Sequence, residues 1–143
     1  MQDLQRARQL LCEQDFTCVL CRGERVYTSR KTGISPMLDW ITDGEDLAGY
    51  AAADRIVGKA AAMLFDLAGI RTLHAQVLSE PALQYLKSHN IDVSYDTLTL
   101  HIINRRGDGI CPMERAAAGI SDAQEALRIL YDTRERLRQG ESI

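Results

Sequence analysis

Hydrophobic positions change period several times along the chain, and each change marks an element. Leu4, Ala7, Leu10 and Leu11 fall at helical spacing and predict an amphipathic helix over residues 3–13. Residues 16–21 and 24–29 read as two strands around Arg22-Gly23, a hairpin signal in which Gly23 can supply a positive φ. Residues 31–36 read as a loop, and Pro36 opens a short helical run over 37–42. Residues 47–68 are small and apolar, and they close on Gly69. The regular part of this stretch is predicted as a helix over 54–68, with Asp54 as its N-cap and Gly69 beyond its end. Leu73, Ala75 and Val77 alternate, so 71–78 reads as a strand. Pro81 opens a helix over 82–88, and 91–95 and 98–103 read as two further strands. After the turn Arg105-Arg106-Gly107-Asp108-Gly109, Cys111-Pro112-Met113-Glu114 starts a short helix. A closing helix over 121–139 carries Ala123, Leu127, Leu130 and Leu137 on one stripe.

This order describes a single domain over residues 1–143, α/β in class, with helices packed on a mixed sheet. The predicted 54–68 helix contains Gly58 and the run Ala60-Ala61-Ala62, small residues that let it lie close to the sheet as the central element. A cleft is expected where strands end and helix N-termini converge.

Composition narrows the class further. Hydrophobic residues make up 45% and charged residues 26% of the 143, an ordinary globular balance that excludes a disordered or fibrous chain. With 17 Lys and Arg against 20 Asp and Glu, the net charge of −3 offers no basic platform for nucleic acid or a membrane surface. No apolar run reaches the roughly 20 residues of a membrane helix. Met1 to Arg6 lack the apolar segment of a signal peptide, so the reading places the chain in the cytoplasm.

The four cysteines, Cys12, Cys18, Cys21 and Cys111, are expected there as free thiols. Cys18 and Cys21 have the spacing of a zinc or redox pair. On a strand, however, positions three apart point to opposite faces, so their sulfurs do not share a metal. His74, His89 and His101 have no ligand spacing and read as strand or loop histidines.

The order of elements resembles the cytidine-deaminase fold. That resemblance implies a three-layer α-β-α arrangement with a mixed sheet of about five strands, an N-terminal hairpin and a central Ala-rich helix. In that family a His-x-Glu or Cys-x-Glu motif opens the central helix, and Pro-Cys-x-x-Cys opens the next one. The His and both Cys hold zinc while the Glu shuttles protons. Here Ala52-Ala53-Asp54 is matched to the first motif and Pro81-Ala82-Leu83-Gln84-Tyr85 to the second. Ala52, Ala82 and Tyr85 thus stand where zinc ligands would be, so no zinc and no zinc-dependent deamination are expected. The words Ala53-Asp54-Arg55-Ile56-Val57-Gly58-Lys59, Ser79-Glu80-Pro81-Ala82-Leu83, Ile102-Ile103-Asn104-Arg105 and Asp108 to Glu114 are more specific. Through them the chain is similar to a family of bacterial and archaeal proteins with a deaminase-like fold and no assigned activity.

Candidate chemistry comes from a few isolated polar residues. Lys59 is the only charge between Arg55 and Asp66. It snorkels at a rim, or it meets a partner such as Asp54, Glu114 or a ligand phosphate. Asp54 either caps its helix or faces the cleft in the place of the deaminase glutamate. Cys111 precedes a helix start, where a thiol is made more nucleophilic, and it is the candidate nucleophile. Asn104 ends a strand before the Arg105 to Gly109 turn, whose arginines and glycines are a weak anion-loop signal.

Two functional readings follow. In the first, Asp54, Lys59, Asn104, Cys111 and Glu114 line a zinc-independent site for a nucleotide or another phosphate-bearing small molecule, with no cofactor and turnover left open. In the second, the chain is a non-catalytic interaction module that self-associates through the hairpin edge or the closing helix. A metal site on Cys111 and Glu114 is a distant third.

Overall fold

Over residues 51–117 strand and helix alternate in the computed structural model, which describes residues 2–104 and 107–140. Among them are six helices and five strands: α1 (Gln2–Glu13), β1 (Cys18–Arg22), β2 (Arg25–Ser29), α2 (Ser35–Thr42), β3 (Ala51–Val57), α3 (Lys59–Leu67), β4 (Thr72–Ser79), α4 (Glu80–Ser88), β5 (Asp92–Thr99), α5 (Pro112–Ala117) and α6 (Ala123–Arg138). The strands form one open mixed sheet in the order β2-β1-β3-β4-β5. β1 is antiparallel to both β2 and β3, whereas β3, β4 and β5 run parallel. Parallel neighbours need a crossover, and α3 and α4 supply the two crossovers.

The hairpin forms as its turn signal predicts. Arg22 pairs with Arg25, leaving a two-residue loop in which Gly23 takes φ +59° at the first position.

Two cores sit on opposite faces of the sheet. The larger packs α2, α3, α4 and α6 against one face through residues such as Leu38, Met63, Phe65, Leu86 and Leu130. The smaller packs Ala7 and Leu11 of α1 against Val19, Cys21 and Ala53. Cys18 belongs to the first core and Cys21 to the second, so strand alternation turns their thiols apart as expected.

The predicted 54–68 helix is the main correction. Its first residues belong to β3, and the helix starts only at Lys59, with Gly58 rather than Asp54 at the N-cap. Asp54 lies within a strand and pairs with Cys18 on one side and Ala75 on the other. The five-strand count agrees with expectation, but by compensation. Residues 54–57 of the predicted helix belong to β3, which adds a strand, while a single strand, β5 over 92–99, stands in place of the two runs 91–95 and 98–103 and is followed by a single bridge between Ile103 and Ile110. In α6 the buried face is Ala126, Leu130, Thr133 and Arg134, and Leu137 is exposed. Arg134 ties that helix to α2 by donating to Asp39 Oδ1 at 2.7 Å and Ser35 Oγ at 3.4 Å. Among the described residues no helix is long and apolar enough to cross a membrane.

Candidate functional site

β3 and β4 each run directly into a helix at their carboxyl ends, through Val57-Gly58-Lys59 and Ser79-Glu80. Ser79 caps α4 by accepting from the Ala82 amide at 3.2 Å. Gly58 has no side chain with which to cap α3, and the first amides of a helix have no partner within it. Glu114 of α5 fills the gap from a distant part of the chain. It accepts from the Lys59 amide at 2.7 Å with one carboxylate oxygen and from the Ala60 amide at 3.1 Å with the other. A negative group is favoured at that end of a helix by the aligned peptide dipoles. The carboxylate fits only because residue 58 is glycine: a Cβ there would lie 2.3 Å from the Glu114 carboxyl carbon. Burial pushes the Glu114 carboxyl above its ordinary pKa. The Ala60 and Lys59 amides pull it back in part, as do the charges of Lys59 and His101.

The Lys59 side chain leaves in another direction. Its Nζ donates to the Ala118 carbonyl at 3.1 Å, just past the end of α5. Backbone and side chain of one residue therefore tie α3 to both ends of α5. Between these helices lies a cleft of about 370 Å³. Lys59, Pro81, Gln84 and Tyr85 form one wall, and His101, Ile110, Glu114, Arg115 and Ala118 form the other. Lys59, Arg115 and His101 bring cationic and imidazole groups to a lining that is otherwise largely apolar. Tyr85 is fixed by donating its hydroxyl to Asp66 Oδ2 at 2.7 Å.

Of the five residues expected to converge, the structure brings Lys59 and Glu114 to this cleft. Glu114 meets the Lys59 backbone amide rather than its ammonium. Asn104 is used within its own loop: its Nδ2 donates to Asp108 at 2.9 Å and its Oδ1 accepts from the Asp108 amide at 3.2 Å. Arg105 and Arg106, the arginines of the anion-loop reading, lie outside the described residues. Cys111 is the N-cap residue of α5, with no hydrogen bond from its side chain to the helix, and it does not line the cleft. Asp54 is buried beside Cys18 and does not line the cleft either. Burial raises its carboxyl to about 7, against which the Ile56 amide and the Cys18 thiol act.

Sequence reasoning missed His101, Arg115 and the α4 wall. Pro81, Gln84 and Tyr85 follow i, i+3, i+4 spacing and so share a face of α4. That spacing, at the head of a crossover helix, was the available signal.

The zinc of the deaminase family can be tested against these positions. Ala52 lies inside β3, so the match of Ala52-Ala53-Asp54 to a motif opening the central helix does not hold. The two helix openings present Gly58-Lys59-Ala60 and Glu80-Pro81-Ala82, with Glu80 exposed. That donor set does not fit a zinc ion, which takes three or four Cys, His or carboxylate ligands. Among the described residues no group of three or more His, Cys, Asp and Glu could hold a metal.

An open five-stranded mixed sheet with six helices, and a cleft at the carboxyl ends of its parallel strands, defines a mixed α/β protein. The chain belongs to the TM1506 family, a domain of unknown function (DUF1893), which matches residues 6–133. The crystal structure of a DUF1893 family protein (TM1506) from Thermotoga maritima is similar to it, with a TM-score of 0.82 and 26% sequence identity. That similarity covers 92% of this chain and 89% of the other. No curated protein matches it.

Proposed function

We propose that the chain is a zinc-independent small-molecule-binding protein with a deaminase-like fold, whose ligand carries a phosphate or similar anion and a flat apolar ring, as a nucleotide does. The observation that carries this reading is the Lys59 ammonium at the rim of a cleft between α3, α4 and α5. The Lys59 Nζ donates to a carbonyl, and the nearby Glu114 carboxylate, on which its charge acts, binds the Lys59 and Ala60 amides, which leaves the ammonium able to meet an anion. Arg115 and His101 on the facing wall add to the attraction for an anion. Pro81, Tyr85 and Ile110 supply apolar surface for a ring. The N-terminus of α3 is not the anion seat, because Glu114 already occupies it. The phosphate is therefore gripped by side chains. The strand order, with an antiparallel hairpin beside three parallel strands, supports the deaminase-like assignment.

Calorimetric titration with inorganic phosphate and a panel of nucleoside mono- and diphosphates tests the reading. The wild type binds at least one nucleotide, and Lys59→Ala weakens it by about tenfold or more, about 1.4 kcal/mol. Binding by neither protein, or equally by both, removes the proposal.

A further inference from the structure

We propose that Ser94, His74 and Asp96 form a second site, on the other side of the sheet from the cleft, in which Ser94 is an activated nucleophile for the acyl group of an ester. Ala53, His74 and Ser94 are in register across β3, β4 and β5, so they share one face. α1 packs on that face at Ala53, whereas at β5 both Ser94 and Asp96 are exposed. The His74 side chain is 5% exposed and is held between its two neighbours. Its Nε2 lies 3.3 Å from Asp96 Oδ1, and its Nδ1 lies 2.7 Å from Ser94 Oγ.

The chemistry assigns the protons. An ionised carboxylate only accepts, so Nε2 carries the hydrogen and donates it to Asp96. The other nitrogen of a neutral imidazole is then an acceptor, so the Ser94 hydroxyl donates to Nδ1. A hydroxyl bonded to a base that a carboxylate orients is the arrangement that activates serine.

β5 also offers a place for the substrate. It is the last strand of the sheet, and the Asp92 amide donates inward to Arg71 at 2.9 Å. Amides alternate along a strand, so those of Val93, Tyr95 and Thr97 point out of the free edge. An extended acyl chain laid along this edge accepts from them, and the Tyr95 amide, next after Ser94, is placed to receive the carbonyl oxygen. In the step itself, Ser94 Oγ bonds to the acyl carbon and its proton passes to His74 Nδ1. The ester C–O bond breaks as that proton goes to the departing alkoxide. Water then releases the acid by the same route and restores Ser94.

The test treats the full chain with a fluorophosphonate probe and with p-nitrophenyl acetate, followed by peptide mapping. The expected result is an adduct on Ser94 that is absent in Ser94→Ala. It forms about 100-fold more slowly in His74→Gln. Asp96→Asn alters an exposed side chain and so leaves the fold intact, as circular dichroism would register. It slows the adduct by about tenfold or more. Failure of Ser94 to react, or an adduct that forms equally fast in Asp96→Asn, overturns the proposal whatever the cleft binds.

Discussion

Glycine 58 and Glu114 are one device made of two residues 56 positions apart in the chain. The absent side chain at 58 makes room for the carboxylate that caps α3. Gly58→Ala keeps an ordinary backbone, since φ is −102°, yet it displaces that carboxylate. The expected cost is about 2 kcal/mol in urea denaturation, and Glu114→Ala costs about 1–2 kcal/mol by losing the cap. In the double variant the alanine at 58 adds almost nothing further, and simple additivity of the two costs would contradict the coupling. Asp54 makes a second prediction at this scale. Its folded pKa of about 7 stands above its ordinary 3.8, so the native chain holds a proton that the unfolded chain gives up. Stability therefore falls as pH rises through that window, by up to about 1.4 kcal/mol per pH unit, and is level above it. Asp54→Asn flattens this slope in denaturation curves taken across the window, and an unchanged slope would contradict the assignment.

Among the elements, α1 and α6 each have one wet face, and their periods are readable from the sequence. The hairpin and α4 are legible from Gly23 and Pro81 instead, although β1 is buried on both faces. β3 was not readable, because residues 51–54 are all buried and a strand covered on both faces shows no alternation. Its three alanines favour helix, and Gly58 reads as a small residue that lets that helix approach the sheet, whereas it is the boundary between β3 and α3. Glu114 was named from the sequence as a partner of Lys59. That it binds the amide rather than the ammonium depended on where α3 begins, and so was lost with the same boundary. His101 comes from the irregular stretch after β5, where there is no period to read, and Arg115 from α5, a six-residue helix too short to show one. At this scale Arg134 is the test. Buried in α6, it bonds Asp39 of α2, which also meets Lys31 at 2.7 Å. Burial pushes the Asp39 carboxyl up, but Lys31 and Arg134 together hold it below the usual carboxylate range. That stabilisation is present above the unfolded pKa and is lost as pH falls through the folded one. Arg134→Met is expected to destabilise the chain by about 2 kcal/mol at neutral pH. The difference from wild type should narrow in acid, and a constant difference would show that the ion pair is not its source.

For the molecule as a whole, the same sheet presents two unlike edges. The carboxyl ends of β3 and β4 open into a cleft with basic side chains in its lining, while β5 is an edge strand whose exposed Ser94 and Asp96 flank the buried His74. Occupation of the cleft beside Lys59 by the proposed phosphate-bearing ligand is followed by backbone amide NMR during titration with a nucleoside monophosphate. Shifts are predicted at Lys59, Gln84, Tyr85, His101 and Arg115, and they should disappear in Lys59→Ala. Saturating ligand that leaves these amides unmoved, or moves only those elsewhere on the sheet, would contradict the account.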